Sequence, residues 1–218
     1  MKRAWMLGLK LAGIAVVWCC WLLTAHRNFS FFWSIVVVWV GIALVPLVAL
    51  CGRRLLDRGP TIERAAAVSL MVHFAEAVLL GCGLIVAFRF TQAYPIVRIP
   101  FPKEISLLAV RITGALATLT VVNLAFGGLG LPFAAAQSRK VATHWLYSRC
   151  RNPMGFYGLL CAIAGAVWLQ SLHALLWTIL WLAPAWVLFV RFYEERELEI
   201  RFGESYLQYK VRTPFFGF

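Results

Sequence analysis

Six apolar runs divide this chain, at residues 4–24, 31–50, 65–88, 105–126, 155–170 and 173–192. A bilayer-crossing helix needs about 20 mostly apolar residues, and each run meets or approaches that length. Only helices and closed barrels satisfy their backbone groups in lipid. The runs lack the strict alternation of a barrel strand, so they predict helices. The expected fold is all-α, a polytopic transmembrane bundle of about six spans. Composition agrees, with 62% of the 218 residues hydrophobic and 14% charged, whereas soluble domains are about 45–50% apolar and about 25% charged. The expected division is 1–130, holding spans one to four, and 131–218, holding the last two runs and a polar tail.

The net charge of +12 would suggest nucleic acid in a soluble chain. Here the basic residues sit in short loops between apolar runs, which assigns them to topology and to anionic lipid. No nucleic-acid partner is expected. With the N-terminus in the cytoplasm and six crossings, the far side keeps Arg27, Arg89, Arg98, Lys103 and Arg111, and the cytoplasmic side holds the other 16 of the 21 Lys and Arg. The positive-inside rule favours that orientation, with both termini cytoplasmic and a bacterial inner membrane as the expected location. Lys10 interrupts the first run and no clear A-x-A site follows it, so the run reads as a retained helix. The six cysteines form no CxxC pair and the four histidines are scattered, so no metal site is expected.

Two features of the first four spans bear on function. His73 and Glu76 are spaced i,i+3 and share a helical face. They read either as a mutually satisfied pair or as a substrate contact, since ionisable groups in a span are functional candidates. GGLGLP, from Gly127 to Pro132, lacks a preceding strand and the full GxGxxG spacing, so it marks a helix end and not a dinucleotide loop.

The last two runs form a hairpin turned at Ser171, and a hairpin returns its two ends to one membrane face. One end is RNPMGFYG, Arg151 to Gly158, and the other is EERELEIRFGESYLQY, Glu194 to Tyr209. Pro184 predicts a kink in the sixth helix, which is expected to run on toward Phe202 and end at Gly203. Five of the nine acidic residues lie in the second block. Glu197, Glu199 and Glu204 read as a solvated face mixed with Arg196 and Arg201. Glu194 and Glu195 lie opposite Arg151 and Asn152. A carboxylate there can hold an amino group and an arginine can hold a carboxylate, which suits a zwitterionic ligand.

These blocks resemble the integral-membrane methyltransferases typified by isoprenylcysteine carboxyl methyltransferase and the phospholipid N-methyltransferases. That family shares R-(H/N)-P-x-Y-x-G, a hairpin, then E-E-x-x-L-x-x-x-F-G-x-x-Y-x-x-Y and a proline. The second block is matched by Glu194, Glu195, Leu198, Phe202, Gly203, Tyr206, Tyr209 and Pro214. The first is matched by Arg151, Asn152 and Pro153, with Tyr147 upstream in a segment, Val141 to Tyr147, similar to V-T-x-G-x-Y. The resemblance covers residues 137–215. It implies S-adenosylmethionine as cofactor, in a pocket lined by Tyr147, Asn152, Pro153, Met154, Tyr157, Glu194 and Glu195, with backbone help from Val141 and Ala142. Glu194 would hold the cofactor's amino group, and Arg151, Glu194 and Arg191 would serve the reaction. Two positions differ. The family's tyrosine is Gly155 here, with Tyr157 and Gly158 restoring the pattern after one inserted residue. The family's arginine four residues before the first glutamate is Val190, with Arg191 beside it and able to face Glu194 at i,i+3.

Methyl transfer is an in-line displacement that depends on proximity and orientation and benefits from a dry pocket. An amine acceptor needs deprotonation, for which a tail glutamate or His144 is available. The expected partner is a lipid or small apolar acceptor from the bilayer, bearing a carboxylate, an amine or a thiol. No signal sets an oligomeric state. Two other readings stand beside this one. One is an NADPH-dependent sterol or steroid reductase, which carries a similar R-H-x-x-Y-x-G segment. The other is a non-enzymatic transporter or scaffold in which His73 and Glu76 form a relay.

Overall fold

The computed structural model describes residues 2–94, 97–128, 130 and 138–216; Leu129, Leu131 and Pro132 of GGLGLP and the Pro95–Ile96 pair lie outside the described residues. The chain is an all-α polytopic bundle. The long helices are α1 (Lys2–His26), α2 (Phe31–Asp57), α3 (Ile62–Ala93), α4 (Lys103–Gly127) and α7 (Leu172–Phe202), all long and apolar enough to cross a membrane. Between α4 and α7 lie the short α5 (Leu146–Arg149) and α6 (Pro153–Trp168), and α8 (Glu204–Arg212) closes the tail. With 16 residues, α6 spans about 24 Å, less than a hydrocarbon core of about 30 Å. The six expected runs thus appear as five long helices and one short one.

The core is a three-helix seam of α2, α3 and α7. At one end Val45, Ala49 and Leu56 pack on Ala65, Val68, Val72, Phe189, Val190 and Tyr193, with Phe215 of the tail laid over them. At the other end Val38 and Ile42 meet Val86, Trp177, Leu182 and Ala185. On one side of the seam α1 packs against α3, where Gly81 lets the indole of Trp21 approach; a Cβ at Gly81 would lie 2.1 Å from Trp21 Nε1. On the other side α4 packs against α6.

Three π-helical turns interrupt the seam helices, at Val36–Gly41 in α2 and at Thr178–Leu182 and Val190–Glu194 in α7. A π turn widens the bonding to i→i+5 and frees carbonyls. In lipid a freed carbonyl needs a donor. Trp177 Nε1 donates to Val38 O at 3.3 Å and Trp181 Nε1 donates to Trp39 O at 3.0 Å, both within the α2 turn. The Thr178–Leu182 turn directly precedes Pro184, which has no N–H to give, so the expected kink takes the form of a local widening of the helix.

The turn between α6 and α7 is pinned from outside. Gln170 takes φ +54°, Ser171 Oγ accepts the Ala174 N–H as N-cap of α7 at 3.2 Å, and Ile99 N donates to Gln170 O at 3.0 Å while Leu172 N donates to Val97 O at 3.1 Å. The connection between α3 and α4, which carries Pro100 and Pro102, is therefore a strut holding the hairpin apex. At the same end Arg89 donates to the carbonyls of Thr24, Ala25 and Arg27. It caps the C-terminus of α1, where a cation is favoured. The other end of the hairpin, with the tail, holds the polar blocks.

Candidate active site

Pro153 opens α6 at its first turn, where a missing N–H costs nothing. That start fixes Arg151 and Asn152 at the mouth of the hairpin. Opposite them, α7 continues unbroken through Glu194 and Glu195 to Phe202, and Gly203, with φ +53°, turns the chain into α8. The tail then folds back, with Arg151 N donating to Pro214 O at 3.0 Å and Tyr209 Oη donating to Tyr147 O at 2.7 Å. The two blocks, separated in sequence by residues 159–193, are thereby clamped together.

Between them is a cavity of about 550 Å³, within the range of about 300–1,000 Å³ typical of small-molecule sites. Val141, Ala142, Tyr147, Arg151, Asn152, Met154 and Glu194 all line it. The Glu194 carboxyl makes no hydrogen bond or ion pair among the described residues. Asn152 Nδ2 is buried and has no partner among them. A free carboxyl and an orphan amide donor in one cavity form a complementary pair for a zwitterion, since a buried donor left unmade costs free energy. The walls include Tyr147 and Tyr206. Burial pushes both phenols well above their usual range, and the Glu194 carboxylate raises Tyr147 further. They stay neutral donors and flat apolar faces.

Other predicted residues are placed differently. Glu195 is 7% exposed and faces the tail, with Arg151 Nη2 at 3.1 Å and Lys210 Nζ at 2.8 Å. Successive helix residues point in different directions, so Glu194 turns to the cavity and Glu195 to the α8 side. Arg151 is thus shared: it lines the cavity while holding Glu195 and donating to Lys210 O at 3.1 Å. Arg191 does not line the cavity; it is exposed, and its guanidinium lies 4.7 Å over the Phe215 ring. The π turn at Val190–Glu194 breaks the α-helical i,i+3 register that would have stacked it beside Glu194. Pro153 and Tyr157 are buried but are not among the lining residues. The glycine at 155 has a reason: a Cβ there would lie 1.7 Å from the Trp186 ring. Trp186 fills the space a larger side chain at 155 would need.

Glu197 is not on a solvated face. It is 2% exposed and paired with Arg201 at 2.7 Å, and both line the cavity, while Arg201 also donates to Ser138 O. Glu199 is held by Lys210 at 3.0 Å and Arg196 at 3.4 Å, and Glu204 accepts from Gln208 at the surface. The i,i+4 spacing of Glu197 and Arg201 was the available signal, but it reads equally well as a surface pair. Nor are His73 and Glu76 paired to each other. Both line the cavity, and His73 Nδ1 lies 2.9 Å from Ser69 O.

No curated protein and no solved structure matches the chain. The family model for phospholipid methyltransferase matches residues 105–205, a stretch that begins at α4 and contains the hairpin, the Arg151 block and Glu194 through Gly203. Over that stretch, a little under half of its length, this membrane-spanning helical chain is similar to the phospholipid methyltransferase family.

Proposed function

We propose that the protein is an S-adenosylmethionine-dependent methyltransferase that modifies a lipid or small apolar acceptor at the cytoplasmic membrane face. The observation that supports this most is the convergence of Tyr147, Asn152 and Glu194, from both motif blocks, on one cavity in which the Glu194 carboxyl and Asn152 Nδ2 lack partners among the described residues. Glu194 would accept the cofactor's ammonium and Asn152 would donate to its carboxylate. Tyr147 and Tyr206 offer aromatic faces to its base. When bound, the cofactor supplies a methyl group on a sulfonium. Arg151 orders this site from behind by holding Glu195 and the α8 backbone.

The same cavity extends along the bilayer-crossing part of the bundle, past Leu80 of α3, Ala117 and Val121 of α4 and Trp186 of α7. These apolar walls would admit an apolar acceptor and exclude water, which strengthens polar contacts inside. Positive-inside placement of the tail and of the Arg53–Arg64 loop supports a cytoplasmic mouth. The test is to incubate membranes containing the protein with methyl-labelled S-adenosylmethionine and extract the lipids. Label should enter an extractable molecule with wild type and fall to background with Glu194→Gln. Label that never leaves the cofactor, across acceptor classes, would overturn the proposal.

A further inference from the structure

The two sides of α4 meet different surroundings. Its inner side packs against α6 and gives Ala117, Thr118, Val121 and Leu124 to the cavity. Its outer side exposes Ile105, Leu108, Ile112, Leu119, Val122 and Phe126, each by 37% or more, a lipid-facing stripe at helical spacing. Arg111 is exposed within that stripe, beside Leu108 and Ile112. Its guanidinium makes no hydrogen bond, ion pair or ring contact among the described residues. Neighbouring contacts fix its depth. Cys161 Sγ donates to Val110 O at 3.8 Å, and a Cβ added at Gly114 would lie 3.7 Å from the same sulfur. Arg111 is thus level with Cys161, the middle of α6, whose ends are the polar mouth and the hairpin apex. It lies about 12 Å along the axis from Lys103, where α4 starts.

A charge at that depth is costly in hydrocarbon, and charged groups in spans pair with one another or face water. Snorkelling serves long side chains near helix ends, whereas Arg111 is more than two turns inside α4. Lipid phosphates and carboxylates stay at the headgroups, about 15 Å from the middle of a hydrocarbon core about 30 Å thick. A carboxyl on another transmembrane helix is what brings an anion to mid-bilayer. A second copy of this chain does not supply one. Inserted the same way, it sets its own Arg111 at the same depth, like charge against like. Its Glu104 lies at the start of α4, about 10 Å away along the axis. Its other acidic residues lie at the α2–α3 connection, in the cavity, or between Glu194 and Glu204.

We infer that the outer face of α4 docks a transmembrane helix of a different chain, one that carries a carboxyl at mid-bilayer and pairs it with Arg111. The apolar stripe supplies the packing surface and Arg111 supplies the selectivity, since an arginine holds a carboxylate through two parallel N–H donors. The docking face is independent of the methyltransferase reading, because none of the exposed stripe residues lines the cavity.

The experiment measures energy transfer between the labelled full-length protein and synthetic transmembrane peptides in phosphatidylcholine vesicles. The peptides are lysine-flanked leucine helices of about 20 residues, with Glu, Gln or Leu at the centre. Wild type should bind the central-Glu peptide saturably, about fivefold or more tightly than the Gln and Leu peptides, the scale of an interhelical polar contact in lipid. Arg111→Leu should bind all three alike, Arg111→Lys should keep part of the preference, and Arg111→Glu should transfer it to a peptide with a central lysine. A peptide whose glutamate is moved two turns from the centre should bind wild type more weakly than the central one. Without peptide, Arg111→Leu should melt no lower than wild type, because it removes an unpaired charge from lipid; a clear drop would make Arg111 a structural residue and overturn the docking face. No preference for the central-Glu peptide, the same preference in Arg111→Leu, or equal binding of the displaced glutamate would also overturn it. Energy transfer between two labelled copies of the protein is measured alongside, and self-association abolished by Arg111→Leu would give this face to a second copy and refute the inference.

Discussion

Replacing Arg151 with methionine should loosen the clamp between the hairpin mouth and the tail. Arg151 Nη2 sits 3.1 Å from Glu195 Oε1, Nη1 donates to Lys210 O at 3.1 Å, and the guanidinium lies 5.8 Å from the Phe215 ring centroid. The two ion-paired side chains are 11% and 9% exposed, so the pair is largely shielded from solvent. Removing one partner of a buried pair costs about 3–5 kcal/mol because the other charge is left behind. Here Lys210 Nζ remains 2.8 Å from Glu195, which places the cost at the lower end, about 3 kcal/mol. For a chain of this size that corresponds to a fall in melting temperature of about 6–12 °C. The assay is thermal unfolding in detergent, with the Arg151→Met/Glu195→Gln double variant completing a cycle. The double variant should recover part of the loss, since no carboxylate is then stranded. A drop of less than about 2 °C in the single variant, or a double variant that loses the sum of both singles, would refute the claim that this pair holds the tail.

Three further substitutions probe separate parts of the account. Gly155→Ala places a methyl where the Trp186 ring stands, 1.7 Å from an added Cβ, and should cost about 1–3 kcal/mol in thermal unfolding as an overpacked contact; pairing it with Trp186→Leu should restore part of that. Gly81→Ala meets Trp21 at 2.1 Å and should destabilise the α1–α3 contact by a similar amount, about 1–3 kcal/mol, while leaving cofactor affinity within about threefold, since neither residue lines the cavity. Arg191→Ala should also change cofactor affinity by less than about threefold, a factor near the RT-scale effect of a surface charge; a loss of tenfold would return Arg191 to the site.

The all-helical fold and the hairpin were legible in the sequence because their causes are local. Apolar runs of bilayer length, Ser171 as a turn and Gly203 as a stop each act on their own neighbours. The juxtaposition of Asn152 and Glu194 followed from span count alone. What was not legible depends on helix phase and on distant partners. The π turn at Val190–Glu194 has no sequence signature, yet it decides that Glu194 faces the cavity while Arg191 lies on Phe215. Glu197 reads as a surface charge until Arg201 and Ser138 are seen to enclose it. Gly155 departs from the family pattern for a reason that sits 31 residues away, in Trp186. His73 and Glu76 were visible as a pair, but which way they turn is a matter of helix packing.

Titration calorimetry of S-adenosylmethionine into the purified full-length protein tests the central claim most directly. Wild type should bind one equivalent, and Glu194→Gln should weaken binding about tenfold or more, as expected for loss of a charged hydrogen bond. No heat of binding with wild type, or the same affinity in Glu194→Gln, would contradict the assignment of this cavity as the cofactor site.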